Sequence, residues 1–247
     1  MWKARHYNIY PSLMDAYCYM RNVEGDEETI RQAEQDFLDT VNRVPRDPNY
    51  YAARGTALNE LVDARACHVA GEHPVKYRNE GDEGGVYTVD IDTFTIDFAE
   101  ALVEQTAAWV QGMTPQVYCE ADIEVRQGVV TLYGYADYVD GDEVVDLKST
   151  KKYSPDSRDY SEHWQHRVYP YCLVKSGMLS EVSRFVYLVA ECNANKDGVV
   201  DGQLFREPYE VFVNEYECQL RDFLSYELLP WLDDHREQIT NDKIFND

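Results

Sequence analysis

The strongest constraint lies mid-chain, where three runs of β-branched and aromatic residues follow one another across two tight turns. Residues 117–126 (VYCEADIEVR), 129–139 (VVTLYGYADYV) and 143–148 (EVVDLK) alternate partly between apolar and polar side chains, the period-2 signature of strands. Gln127-Gly128 separates the first two, and Asp140-Gly141-Asp142 the last two, which is turn chemistry suited to antiparallel hairpins. Such a run needs an apolar layer to pack against, and the flanks supply helices. Residues 11–22 open with Pro11 and Ser12 and predict a short helix. Residues 26–43 put acids in the first turn and Ile30, Ala33, Phe37, Leu38 and Val41 on one stripe, an amphipathic helix stopped by Pro45 and Pro48. Further helices are expected over 54–69, over 97–110 with Asp97 as cap, over 160–176, and over 214–238 with Pro230 between two segments. Strands are expected at 184–192 and 199–206, while the Gly- and acid-rich residues 71–95 read as an irregular insertion holding short β-like pieces such as VYTVDI. The expected fold class is α/β, of the α+β kind: a mixed sheet flanked by helices, in one domain over 1–247 whose residues 1–50 form an N-terminal helical region.

Within the central run, the stretch Gly134 to Thr150 (GYADYVDGDEVVDLKST) carries the chemistry. Asp137 falls on one strand and Asp146 on the next, so an antiparallel pairing lets their carboxylates converge. Lys148 follows Asp146 by two residues and shares its face. Two carboxylates and a lysine among apolar β residues are costly to bury without a role. A hard divalent cation supplies one, since Mg²⁺ takes carboxylate oxygens, water and substrate phosphate. The chemistry that follows is phosphodiester hydrolysis.

These residues resemble the PD-(D/E)XK nuclease superfamily, whose signature is an acid on one strand and D/E-x-K on the next, here Asp137 and Asp146-Leu147-Lys148. The wording around them is similar to the RecB-like, lambda-exonuclease-like branch. Gln165-His166-Arg167-Val168-Tyr169 matches that branch's Q-x-x-x-Y, with Gln165 and Tyr169 on one helix face. Gly55-Thr56-Ala57-Leu58-Asn59-Glu60 resembles its upstream helix motif, with Asn59 where the branch usually has a metal-binding His, and Pro11 through Tyr17 resembles its opening helix. The resemblance implies a restriction-endonuclease-like core and a metal-dependent DNA exonuclease of recombination or repair, of phage or mobile-element type. It implies Mg²⁺ or Mn²⁺ held by Asp137, Asp146, the Leu147 carbonyl and Asn59. Lys148 would act on the attacking water, Gln165 and Tyr169 would brace the site, and Lys151, Lys152, Arg158 and Arg167 would hold the DNA backbone. A single-strand annealing protein or helicase, and further copies of the chain, are the partners such a protein would have.

Composition first argues the other way. The formal charge is −23, and an acidic protein repels phosphate on average. The average hides two unlike regions: residues 79–125 hold eleven acids and no Lys or Arg, whereas 148–175 hold six basic and three acidic residues. The six cysteines, separated by 49, 52, 53, 20 and 26 residues, form no C-x-x-C pair, so neither a zinc site nor an iron–sulfur cluster is expected. No apolar run is long enough for a bilayer, and the N-terminal residues lack a signal peptide's apolar stretch, so a cytoplasmic protein with reduced thiols is expected. Two rival readings are a nuclease fold that has lost catalysis and binds DNA or protein, and an acidic DNA mimic. Tyr153, Tyr160 and Trp164 are open to two readings, base stacking or core packing, and His163 and His166 are expected to be exposed.

Overall fold

The computed structural model describes residues 5–79 and 84–245. Its strands are β1 (Arg5–Ile9), β2 (Val75–Asn79), β3 (Gly85–Ile91), β4 (Phe94–Ala99), β5 (Thr114–Val125), β6 (Gly128–Asp140), β7 (Glu143–Thr150), β8 (Arg184–Ala194) and β9 (Val200–Glu210). The helices are α1 (Pro11–Asn22), α2 (Glu27–Val41), α3 (Tyr50–Ala66), α4 (Glu100–Val110), α5 (Gln165–Lys175), α6 (Val213–Phe223) and α7 (Leu229–Asp234), with a π-helical turn (Leu224–Leu228) between the last two. All nine strands join one mixed sheet in the order β1-β6-β7-β8-β9-β4-β3-β2, with β5 pairing β6 off that path. Helices cover both faces, as the α/β expectation requires. One apolar layer joins α1, α2, α5, α6 and α7 to Val130, Leu132, Val144, Phe185, Tyr187 and Val189. The other joins α3 and α4 to Val145, Leu147, Val186, Leu188 and Ala190. The alternation along β7 and β8 assigns successive residues to opposite layers, so the strands are buried on both faces.

Three expectations need correction. Residues 71–95 are not irregular: they contain β2, β3 and the start of β4, paired Val75↔Val89 and Val86↔Ala99, and only residues 80–83 lie outside the described residues. Asp90 is a cross-strand partner, bound by Lys76 of β2 and Thr95 of β4. Asp97 does not cap a helix. It sits in β4, where its carboxylate accepts from Thr88 Oγ1 (2.6 Å) and Arg78 (2.9 Å), and α4 starts three residues later. The N-terminal region is not purely helical either, because β1 joins the sheet parallel to β6, Arg5↔Gly128 through Ile9↔Leu132. The C-terminal helix changes to a π-helical turn over Leu224–Leu228 and resumes as α7, with Pro230 in its first turn, where a proline costs no hydrogen bond.

The geometry that positions the site depends on one edge of β6. β1 occupies its first part, ending at Leu132, and β7 its last part, Tyr138↔Val145 to Asp140↔Glu143. Between them the edge is open among the described residues, and on the face beside it Tyr169 of α5 packs over Gly134. A Cβ there would lie 2.8 Å from Tyr169 Cε1. Gly134→Ala is therefore expected to cost about 1–3 kcal/mol by overpacking, read as a fall of roughly 2–4 °C in Tm per kcal/mol. Gly55→Ala, whose Cβ would meet only Ser149 Cβ at 4.0 Å inside α3, should be neutral or stabilising by up to about 1 kcal/mol. Thermal unfolding of both variants checks the pair.

Candidate active site

The register of β6 and β7 makes Asp137 the next partner of Asp146, but the ladder stops one pair earlier, at Tyr138↔Val145. On the other side of β6 the ladder to β5 also skips Asp137, because the facing Gln116 has a left-handed backbone (φ 51°). Freed from both ladders, Asp137 reaches across the split, and its Oδ2 accepts from the Leu147 N–H at 2.9 Å. The carboxylate thus replaces a ladder acceptor and leaves no buried N–H orphaned. Asp146 (1% exposed) and Lys148, two apart on β7, form an ion pair of 2.6 Å on the face toward α5. Gln165, the first residue of α5, donates Nε2 to Asp146 Oδ1 at 3.0 Å. One turn on, Tyr169 is buried beside it, and Lys148 Nζ lies 5.7 Å from the ring centre of Tyr187.

The electrostatics is that of a site short of one positive charge. Burial, and then the neighbouring Asp146, raise the Asp137 carboxyl well above the usual carboxylate range. Burial also raises Asp146, with Lys148 opposing it. Lys148 is lowered by burial but raised on balance by Asp146 and Asp137, so it stays charged. Burial, with Asp146 adding, pushes the Tyr169 hydroxyl up. Two buried acids share one cation, and each proton they retain is a positive charge the fold itself does not supply.

A divalent cation fits this deficit. Asp146 Oδ2, though close to Lys148, has no aligned hydrogen bond, and Asn59 Oδ1 is buried with no partner. The donors are all oxygens. Among the described residues no three His, Cys, Asp or Glu side chains form a closed cage, so water and substrate would complete the shell, as Mg²⁺ prefers. Leu147 lends the site its backbone, while its side chain is buried with α3. Asn59 stands on α3, on the Leu147 side of the sheet, away from the face of Asp146 and Lys148. It shares a stripe (i, i+4) with Asp63, whose charge reaches Asp137.

Other residues singled out in the sequence divide. Lys151 and Lys152 are exposed just beyond β7. Arg158 lies over the Tyr209 ring and donates to the Pro208 carbonyl. Arg167 instead bonds Gln219, the His163 carbonyl and the Ser161 carbonyl, so its guanidinium braces the start of α5. Tyr153 is buried with its hydroxyl on Glu207, Tyr160 lies against Tyr187, and Trp164 packs on Phe223, which makes all three packing residues. His166 is buried, not exposed, and burial lowers it to about 3, so it carries no charge near neutral pH. Asp15 escaped the sequence reading. It accepts from the Trp164 N–H (2.8 Å) and His163 Nδ1 (3.0 Å), fixing the end of α5 that presents Gln165, yet 149 residues separate it from Trp164.

The model of the PD-(D/E)XK nuclease superfamily matches residues 28–245, which include the whole β6–β7 split and α5. The chain belongs to the PD-(D/E)XK nuclease superfamily. Membership implies a nuclease acting on DNA with Mg²⁺ or Mn²⁺, and the mixed sheet flanked by helices agrees with that fold. No curated protein sequence matches the chain. Among solved structures it is similar to one described as "Crystal structure of SSO0001", at 11% identity, covering 91% of this chain and 77% of that one with a TM-score of 0.39, a likeness too low to carry argument. Among the described residues no helix is long and apolar enough to cross a membrane.

The raised carboxyls give a pH prediction for the metal-free superfamily member. An acid held above its unfolded value binds more protons folded than unfolded, so its stabilising share is present at low pH and is lost as pH rises. In EDTA, stability should fall from about pH 4 upward through neutrality, and Asp137→Asn should raise Tm at pH 8 by a few degrees, roughly 1 kcal/mol or more. Mg²⁺ should raise the wild-type Tm at pH 8 and leave Asp137→Asn nearly unmoved. Thermal scans with and without the ion test both.

Proposed function

We propose that this chain is a Mg²⁺- or Mn²⁺-dependent DNA exonuclease of the RecB-like branch, serving recombination or repair on a phage or mobile element. The observation that carries the reading is the hold of Gln165 on Asp146 across the site, with Tyr169 packed over Gly134 of β6 one turn later. A Q-x-x-x-Y matched by chance has no reason to meet the D-x-K in space. While Asn59, on the α3 side of the sheet away from the Asp146 face, stands apart from them, Asp137, Asp146 and the Leu147 carbonyl would hold the ion. Bound there, it supplies Lewis acidity toward the phosphoryl oxygen and a water of lowered pKa. The residues do the rest. Lys148, kept charged by two acids, stabilises negative charge developing on the phosphate and orients the water. Gln165, bonded to Oδ1, fixes the Asp146 rotamer so that Oδ2 faces Lys148, and Tyr169 covers Gly134 beside the open edge. Lys151 and Lys152, exposed beyond β7, contact the backbone.

Asn59 in place of His is the observation that favours a rival, a nuclease fold without catalysis. The two separate cleanly on a 5′- or 3′-labelled linear duplex, with a circle as control for exonuclease action. Asp146→Asn and Lys148→Ala should each lower metal-dependent degradation about 10²–10³-fold or more, and Gln165→Ala about 10–100-fold. Degradation at wild-type rate in both Asp146→Asn and Lys148→Ala would falsify the assignment. A wild type that neither degrades DNA nor binds Mn²⁺ in calorimetry supports the rival.

A further inference from the structure

The outer edge of β9 carries a feature that hydrolysis leaves unused. β9 pairs with β8 along its length but meets β4 only at Phe98↔Val200, so among the described residues 201–210 have no strand on their other side. An open edge this long invites strand addition. Here it is blunted: Pro208 has no N–H to offer, and its carbonyl accepts from Arg158 Nη2 at 3.1 Å. Beside the blunted edge runs a groove of ≈ 820 Å³, lined by Arg158, Arg184, Arg206, Tyr209 and Phe212. In a chain of formal charge −23, three arginines distant in sequence converge on one concavity.

The arginines are held in place. Arg158 lies 4.5 Å from the Tyr209 ring centre, and Tyr209 stacks on buried His166 at 4.3 Å and 19°. Its guanidinium is thus the outer plate of a stack rooted in the core, on a residue kept in the left-handed region (φ 49°). Arg206 lies 4.7 Å over the half-exposed Trp109. Arg184 and Arg206 share a single acid, Glu143, at 3.4 and 3.9 Å. Counting Glu143 and Glu210, the groove keeps a positive surplus. Phe212, half exposed, offers a ring face at its rim. The register sets Tyr187 beside Asp146 and Glu207 beside Tyr187, so the groove begins about two strand spacings, on the order of 10 Å, from the candidate active site.

We propose that this groove binds single-stranded DNA, with the phosphodiester backbone on Arg158, Arg184 and Arg206 and an unstacked base on Phe212. That the strand is DNA rests on the nuclease reading; the groove itself rests on charge and ring faces alone. A single strand is specified because base faces are free to stack only when unpaired. The groove would hold the strand running to or from the hydrolytic site.

The experiment measures anisotropy of a fluorescein-labelled oligo-dT of about 15 nucleotides, and of a blunt hairpin duplex, in EDTA. Arg184→Ala/Arg206→Ala should weaken oligo-dT binding at least about tenfold and flatten the log K against log salt slope by roughly 1.4, two contacts at about 0.7 each. Duplex binding should change far less. The control Arg21→Ala/Arg31→Ala removes two exposed charges elsewhere and should change little. Circular dichroism confirms that the variants fold, and Arg184→Lys/Arg206→Lys, which keeps the charge, should recover part of the loss. Wild-type oligo-dT affinity in the double variant, an equal loss in the control, or an equal loss for duplex overturns the proposal. The nuclease reading fails separately, through Asp146→Asn that still degrades DNA. Oligo-dT binding by Asp146→Asn at wild-type strength leaves the groove standing whichever way that assay falls.

Discussion

Two carboxylates placed opposite each other on neighbouring strands cannot be zipped into a sheet at ordinary spacing, and the fold is arranged around that repulsion. Like charges directly across a ladder destabilise it, and burial multiplies the cost. The chain responds by ending the β6–β7 ladder one pair before Asp137 and Asp146 and turning the Asp137 carboxylate onto the Leu147 N–H. Lys148 neutralises one of the two acids. The second charge remains to be met, and burial keeps both carboxyls raised until it is.

The surroundings keep the split from collapsing. β1 and β7 share one edge of β6 end to end, so the opening has a strand at each side. α5 covers Gly134 beside it from one face with Tyr169 and is itself pinned by Asp15 of α1 through the Trp164 N–H. α3 is fastened to the far end of β7 and to β8 by buried Arg54, which bonds Ser149 Oγ and the Cys192 carbonyl. Behind Lys148 lies an aromatic wall, Tyr187, Tyr160 and Tyr209 with His166, that ends outward at Arg158 and the groove along β9. The candidate active site and the arginine-lined groove therefore share one wall of packed rings.

What the sequence made legible is what short-range periodicity encodes. The central strands, the Asp146–Lys148 pairing on one face and the helix carrying Gln165 and Tyr169 follow from spacings of two and four residues. The family match then agrees with the fold those spacings suggested. The failures have equally physical causes. Glycine and acid in 71–95 imitate a loop, although Asp90 bonds across strands and VYTVDI lies in β3. Asp97 before a helical run imitates a cap while bonding Arg78 and Thr88 across strands. The basic run after the D-x-K shrinks in three dimensions, because Lys148, Arg167 and Lys175 are bound to Asp146, Gln219 and Glu217. Asp15 with Trp164, and Arg184 with Arg206 and Arg158, meet only through tertiary contacts that no local pattern announces.

The central claim is that the parted strands present Asp137 and Asp146 to one cation. Anomalous scattering from crystals soaked in Mn²⁺ tests it most directly. The account predicts a single strong peak between the two carboxylates and beside the Leu147 carbonyl, absent in Asp146→Asn crystals treated alike. A wild-type split without a peak, or a peak that survives Asp146→Asn, would contradict it.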